Sequence, residues 1–311
     1  MKTNLFLLKK LNLAILIPAI YLFLNCSITQ TQQRTLQNFG ETAIVMSNLT
    51  SSELIAMRNS TIQMNMHRIR LENMTTKKED TNTEDTKEYA KLEGSFTIQN
   101  IAIRLKAIAT LRSYAKLLLS LASDSSKKEL EQATQSFLFS AQNLSGDYKK
   151  LDEKKLNSIG EAAKLFGGIF TEHKQKDAIK SIILDSKEQV EILCDLLAKD
   201  FDPGKDGNKL ATDFILTGKD LQISADEKLD SGSEIKSEKI KTRALIAFQL
   251  AEKNIQKRDT ILPEIASAIL NLKKANSEMY ESFQSEVYTT KDIAKFVNTV
   301  KAVQDYKAIL K

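Results

Sequence analysis

Side chains that could bind a soft metal ion are concentrated in one early segment of the chain. Five of the seven methionines lie between Met46 and Met74, and Met64, Met66 and His67 form the centre of this segment. Thioether and imidazole groups together suit Cu(I). On a helix, however, residues two apart diverge by about 200°, so Met64 and Met66 converge on one ion only if the helix unwinds. Methionines that fill irregular helix interfaces explain the same pattern, so the sequence predicts no metal cofactor.

Oxygen-bearing side chains after residue 201 have the spacing of an incomplete calcium loop. Such a loop needs oxygen ligands at its first, third, fifth and twelfth positions. Asp202, Asp206 and Asp213 occupy the first, fifth and twelfth positions, but the third is Gly204 and the eighth is Lys209. A turn between two helices explains the same residues. Whether the segment from 202 to 242 binds an ion is therefore left open.

The remaining reactive side chains are the two histidines, His67 and His173, and a cysteine, Cys194. A pair formed by Cys194 and His173 would need a reachable thiolate. Cys194 shares its predicted helical face with Val190 and Leu197, so we expect a buried cysteine that packs as a small apolar residue. The chain has no His-Glu-x-x-His, Gly-x-Ser-x-Gly or phosphate-binding glycine motif, which favours a protein that is not an enzyme.

The second cysteine, Cys26, follows a charged N-terminus and an apolar run. Three lysines lie in the first ten residues, and the run of 14 residues extends from Leu11 to Leu24. A helix needs about 20 apolar residues to cross the hydrocarbon core of a bilayer. This run is too short for that and is typical of a secretion signal. Residues 1–25 are therefore predicted to be a signal peptide.

The five residues Leu22-Phe23-Leu24-Asn25-Cys26 resemble the lipobox of bacterial lipoproteins. The resemblance is to the relaxed lipoboxes of spirochaetes, because Asn25 replaces the usual small residue. It implies that the Cys26 sulfur carries a diacylglycerol with acyl chains such as palmitate, and that the mature chain begins at Cys26. A simple secretion signal, or an uncleaved anchor with Cys26 as a bystander, is the alternative.

Composition and charge limit the kinds of protein to which the mature chain can belong. Removal of the signal leaves 286 residues, enough for one or two domains with a substantial core. The three lysines of the signal leave with it, so the formal charge falls from +5 to +2. Positive and negative residues are interspersed along the chain. The sequence therefore predicts no basic surface that would bind nucleic acid. With Cys26 lipidated, Cys194 has no intramolecular disulfide partner.

Apolar residues recur with a helical period along the mature chain, which predicts an all-α protein. The ten glycines and three prolines give few chain breaks. A polar tether is expected at 27–35, a polar linker at 75–88, and a helix break at 259–262, before Pro263. Predicted helices cover approximately 36–49, 52–71, 98–122, 126–146, 152–170, 178–201, 210–216, 239–258, 263–283 and 289–309.

These segments predict an elongated antiparallel helical bundle from residue 96 to 311. Residues 26–95 would supply the tether, a helical pair and the linker, and the pair either docks on the bundle or forms a stalk. We expect a bacterial lipoprotein held at the periplasmic or outer side of a membrane. It would be non-enzymatic and would present helix faces to an envelope protein, a host factor or another copy of itself.

Two other classes fit the helical pattern. The first is a helical enzyme, or a carrier of a small ligand or metal, with its site inside the bundle. The second is a pore-forming protein, which needs an apolar segment able to enter lipid. The best such run after the signal, Ala162 to Phe170, is interrupted by Lys164 and is too short to span a bilayer.

Overall fold

The structure, a computed structural model, describes residues 28–73, 92–123, 127–144, 172–202, 204, 209–230, 238–285 and 289–309. These residues confirm the all-α fold class, since helices pack against one another as a bundle. The predicted linker at 75–88 and the predicted helix at 152–170 lie outside the described residues. The described helices are α1 (Gln30–Glu72), α2 (Ile98–Ala122), α3 (Lys127–Gln142), α4 (Glu172–Phe201), α5 (Lys209–Asp230), α6 (Glu238–Ser285) and α7 (Lys291–Ile309).

Two long helices, α1 and α6, form the axis of the bundle. They contain 43 and 48 residues, which at 1.5 Å per residue makes them about 65 and 72 Å long. Glu53 of α1 contacts Lys257 of α6, and His67 lines a cavity with Arg243, so the two helices run antiparallel. Helices α5 and α7 pack on both of them, α2 packs on α1, and α4 packs on α6.

A continuous apolar core links four of the helices. The ring of Phe39 on α1 lies 5.9 Å from that of Phe296 on α7 and 6.5 Å from that of Tyr114 on α2. Tyr114 in turn lies 5.7 Å from Phe137 on α3, measured between ring centroids. All four side chains are at most 1% exposed. The predicted N-terminal segment therefore docks on the bundle, the first of the two arrangements that the sequence allowed.

The predicted N-terminal helical pair is wrong, because α1 is one continuous helix from Gln30 to Glu72. The second helix was predicted to begin at residue 52. The hydroxyl of Ser52 instead donates to the carbonyl oxygen of Leu49 at 3.1 Å. Ser47 and Thr50 likewise donate to the carbonyl oxygens of Ala43 and Met46, at 2.7 and 2.8 Å. Serine and threonine can bond back to their own helix in this way, so they need not cap a new one.

The predicted break at 259–262 is also wrong, because α6 continues through Pro263. Proline inside a helix costs about 3 kcal/mol through a lost hydrogen bond and a steric clash. Here Pro263 is exposed, whereas four flanking side chains are buried: Ile261, Leu262, Ile265 and Ala266. Burial of an aliphatic side chain contributes about 1.5–3 kcal/mol, so tertiary packing outweighs the cost of the proline.

Two further helix limits differ from the prediction. The short helix expected at 210–216 is the 22-residue α5, which buries residues as far as Ala225 against the long pair. Residues 30–35, expected to be tether, form the first turns of α1. Thr29 caps this helix, since its hydroxyl accepts from the backbone N–H of Gln32 and its own N–H donates to the Gln32 side chain. Such a capping box fixes the start of a helix.

The start of α7 is held by a residue that the sequence did not predict. The sequence predicted only that this helix begins at Thr289. In the structure, the buried carboxylate of Glu278 on α6 accepts hydrogen bonds from the backbone N–H groups of Lys291, Asp292 and Ile293, at 3.0–3.1 Å. A carboxylate is favourable at the positive end of a helix. This contact therefore caps α7 and also holds its first turn against α6.

A glycine within α1 marks a close approach of α1 and α2. A Cβ atom added to Gly40 would lie 3.0 Å from the carbonyl oxygen of Ala115 and 3.1 Å from Cβ of Leu119. Glycine costs about 1 kcal/mol relative to alanine inside a helix. The close helix contact explains why this position has no side chain. Three further glycines, Gly160, Gly167 and Gly168, belong to the helix predicted at 152–170 and lie outside the described residues.

We expect Gly40→Ala to lower the free energy of unfolding by about 1 kcal/mol, because overpacking a tight contact costs about 1–3 kcal/mol and exceeds the gain in helix propensity. Urea denaturation followed by circular dichroism measures the change. Gly218→Ala on α5 is the matched control. Its added Cβ would meet a movable side-chain atom, Cγ1 of Ile255, at 3.2 Å, so the loss should be smaller. A Gly40→Ala protein as stable as the wild type would contradict the close packing.

Candidate functional site

The strongest candidate for a ligand site is a cavity at the end of α7, between α1 and α6. The cavity has a volume of about 340 Å³ and is lined by three lysines: Lys253 and Lys257 of α6, and Lys307 of α7. Its other polar lining includes Ser60 and Gln63 of α1. Ligand cavities in proteins range from about 300 to 1,000 Å³. The cavity is therefore large enough for a small molecule.

This cavity exists because α7 is much shorter than the two helices on which it packs. Phe39 faces Phe296, and Ser52 contacts Lys307, so α7 runs parallel to α1. Its last described helical residue, Ile309, comes just after this contact. The groove between α1 and α6 continues past this point, where the side chains of the three lysines surround it.

A buried carboxylate lies at the base of the cavity. Glu53 is 1% exposed, and its Oε1 atom lies 2.8 Å from Nζ of Lys257, which is partly exposed. A buried charge needs a paired group because desolvation disfavours the charged form. Asn254, also buried, donates from its side-chain amide to the carbonyl oxygen of Leu250 at 2.8 Å. Lys257 is thus fixed from one side by Glu53, while the other two lysines face the same opening.

Sequence reasoning missed these residues, although one signal was present for Glu53. The buried stripe of α1 recurs every three or four residues, and Glu53 occupies a position in that stripe. A charged residue at a buried position of such a stripe is unusual and therefore informative. The three lysines carried no such signal, because lysine is common on exposed helix faces. The stripe consists of Met46, Thr50, Glu53, Met57, Thr61 and Met64.

The methionines and the histidine do not form a common site. Met64 is completely buried and packs beside Gly218 of α5, whereas His67 lines a different cavity of about 230 Å³ with Arg70 and Arg243. Burial lowers the pKa of His67, and the neighbouring charge of Arg70 lowers it further. Two guanidinium groups at this cavity disfavour a metal cation. Within the described ranges, no group of three His, Cys, Asp or Glu side chains has metal-binding geometry.

The ends of the possible calcium loop are engaged in other contacts. Asp202 accepts a hydrogen bond from the backbone N–H of Gly204 at 3.0 Å, which forms a tight turn after α4. Asp213 lies within α5, where its carboxylate accepts from the hydroxyl of Ser95. Residues 205–208, which include Asp206, lie outside the described residues. The described part resembles a helix-ending turn, the simpler of the two interpretations.

Cys194 is buried, as its helical face predicts. Its side chain is 0% exposed, and burial raises the pKa of the thiol. A protonated, inaccessible thiol is a poor nucleophile. The side chain of His173 lies outside the described residues, so of the possible pair of Cys194 and His173 the structure describes only Cys194.

The predicted lipid-bearing residue, Cys26, also lies outside the described residues, as does the apolar run from Ala162 to Phe170. Among the helices that are described, none has both the length and the apolar composition needed to cross a bilayer. The structure does fix the first residues after Cys26 that belong to the folded body. Among the described residues these are Ile28 and the helix cap Thr29, which lie two and three residues beyond the cysteine.

No protein-family model matches the chain, and no curated protein or solved structure matches it.

We expect Lys257→Met to destabilise the protein by about 3 kcal/mol, because removal of one partner of a buried ion pair leaves a buried charge uncompensated. Thermal or urea unfolding measures this loss. Lys253→Met, at an exposed lysine one turn earlier on α6, is the matched control and should change stability by less than about 0.5 kcal/mol. Glu53→Gln combined with Lys257→Met should recover part of the loss. Equal effects of the two single changes would show that the pair does not stabilise the fold.

Proposed function

We propose that this chain is a lipid-anchored protein of a bacterial envelope, with a non-enzymatic helical body that binds a protein partner. The observation that carries the proposal is the short stretch of chain between the lipobox-like sequence and the first helix. Thr29 caps α1 only three residues after Cys26. A chain of three residues reaches at most about 10 Å. A lipid on Cys26 would therefore hold the body close to the membrane surface.

The nature of the body supports a binding role rather than catalysis. Where the described helices meet, the interior is filled by apolar side chains from all seven of them. Cys194, the one reactive cysteine that the sequence offered beyond Cys26, is buried within this interior. A rigid bundle with long helices displays an extended outer surface, which suits contacts with another envelope protein, a host factor or a second copy.

Ion pairs at the helix interfaces support a body of fixed shape. Lys273 of α6 donates to both carboxylate oxygens of Asp195 on α4, at 2.8 and 2.7 Å. Arg104 of α2 donates two hydrogen bonds to Asp200 of α4, at 2.7 and 2.9 Å. The two donors of the Arg104 guanidinium hold both distance and orientation. The partner would therefore contact a preformed surface, which reduces the entropy lost on binding.

The anchor is tested by changing the cysteine. In the bacterial host, the wild-type protein should partition into the detergent phase, and mass spectrometry should find an acylated N-terminus at Cys26. Cys26→Ala should move the protein to the aqueous phase, because a single change removes the acyl chains that bind the membrane. Cys194→Ala is the matched control, since this buried cysteine should not affect partitioning. A Cys26→Ala protein that stays in the detergent phase would rule out anchoring at Cys26.

The binding role needs a separate test in the native membrane. A photoactivatable residue placed at an exposed position of α1, such as Asn38 or Glu41, should cross-link to a defined protein when the anchor is intact. The same position in the Cys26→Ala background should give much less of this product, because tethering raises the local concentration of the two surfaces. Should the several exposed faces of the bundle yield no specific product, the proposed partner-binding role would be wrong even if the lipid is present.

A further inference from the structure

Lysines outnumber carboxylates among the described residues that line the cavity at the end of α7. Among the described residues that line it, three are lysines and one, Glu53, is a carboxylate, which leaves a formal charge of +2. Lys253 and Lys257 lie one turn apart on the same face of α6. Like charges at this spacing destabilise a helix. A third lysine, Lys307 of α7, lines the same cavity, so an anion bound there would be attracted by ammonium groups from two helices.

The lysines reach the cavity from two different helices, which distinguishes this arrangement from a lysine row on one exposed face. Lys307 contacts the hydroxyl of Ser52, so its ammonium group is held at the rim beside α1. Lys257 is fixed by Glu53 at the base. An anion between them would meet ammonium groups on two sides. Attraction is stronger in a partly enclosed cavity than on an open surface, because the effective dielectric constant is lower.

The other lining groups limit the ligand to a small organic molecule. Ser60 and Gln63 of α1 offer a hydroxyl and an amide for hydrogen bonds, while Leu250 and Ile261 of α6 provide apolar walls. A cavity of about 340 Å³ accepts a compact molecule better than a folded domain or a bilayer headgroup layer. Polar groups that converge on a partly apolar cavity are typical of small-molecule sites.

We infer that this cavity binds a small organic anion, through a carboxylate or phosphate group placed between Lys253, Lys257 and Lys307. Glu53 competes with the ligand for Lys257 and thereby sets the affinity. The site belongs to the folded body, so it does not depend on lipid at Cys26. A carboxylate and a phosphate share the chemistry that the lysines recognise, and the choice between them is made by the test.

The test is isothermal titration calorimetry on the full-length chain in detergent. Citrate and glycerol 3-phosphate are the probes, and glycerol is the neutral control. Saturable binding of citrate alone assigns a carboxylate ligand, and binding of glycerol 3-phosphate alone assigns a phosphate ligand. Binding should weaken as salt is raised, because the attraction is electrostatic. No saturable binding of either probe at millimolar concentration would overturn the inference.

Substitutions test whether the cavity is the place of binding. Lys253→Gln with Lys307→Gln should weaken binding at least about tenfold, because both changes remove charge that faces the ligand. The matched control is Lys274→Gln with Lys301→Gln, two exposed lysines on the same two helices that do not line the cavity. Circular dichroism checks that each variant is folded. Equal loss of affinity in both double variants would assign the binding to general surface charge and overturn the site.

Removal of the competing carboxylate should strengthen ligand binding, whereas removal of the lysines should weaken it. Glu53→Gln should tighten binding by roughly threefold to tenfold, because Lys257 becomes available to the ligand and the cavity gains positive charge. A structural role of Glu53 alone would weaken binding or leave it unchanged. Unchanged or weaker binding in a folded Glu53→Gln protein would therefore contradict the role assigned to this carboxylate.

Discussion

The antiparallel packing of α1 on α6 is the constraint on which the rest of the structure depends. Single helices of 43 and 48 residues gain most of their stability in proteins from a packed face rather than from propensity. Apart from α3, which packs on α2, each other described helix contacts one or both of these two. Their pairing explains why α1 passes through its serines and threonines, and why α6 passes through Pro263, without a break.

Buried polar groups hold these helices in one register. Tyr114 donates from its hydroxyl to the side-chain oxygen of Asn276 at 2.7 Å, and both side chains are buried. Glu278, two residues after Asn276 on α6, binds the start of α7. Apolar contacts tolerate small shifts along a helix, whereas a buried hydrogen bond is lost when its partner moves away. These contacts therefore select one alignment among several that would bury similar apolar area.

The same architecture places the two proposed functional features in different parts of the chain. The start of α1, close to the predicted anchor, packs near the end of α6 and the start of α7, as the small cavity lined by Leu36, Met279 and Thr289 shows. The lysine cavity lies further along α1, where α7 ends. A ligand could thus reach the cavity from the side of the body while the N-terminus remains at a membrane. Neither feature requires the other.

The sequence by itself determined the all-α class, most helix positions after residue 96, and the burial of Cys194, because apolar periodicity and scarce glycine and proline are local properties. It also carries the resemblance at Cys26, which stays a prediction. Only the tertiary structure decided that α1 and α6 are continuous, that Glu278 caps α7, and that Glu53 pairs with Lys257 in a cavity that two further lysines line. Each of these depends on groups far apart in the chain, whose contacts outweigh local preferences for a break. Apart from the position of Glu53 in the buried stripe of α1, they leave no periodic signal in the sequence.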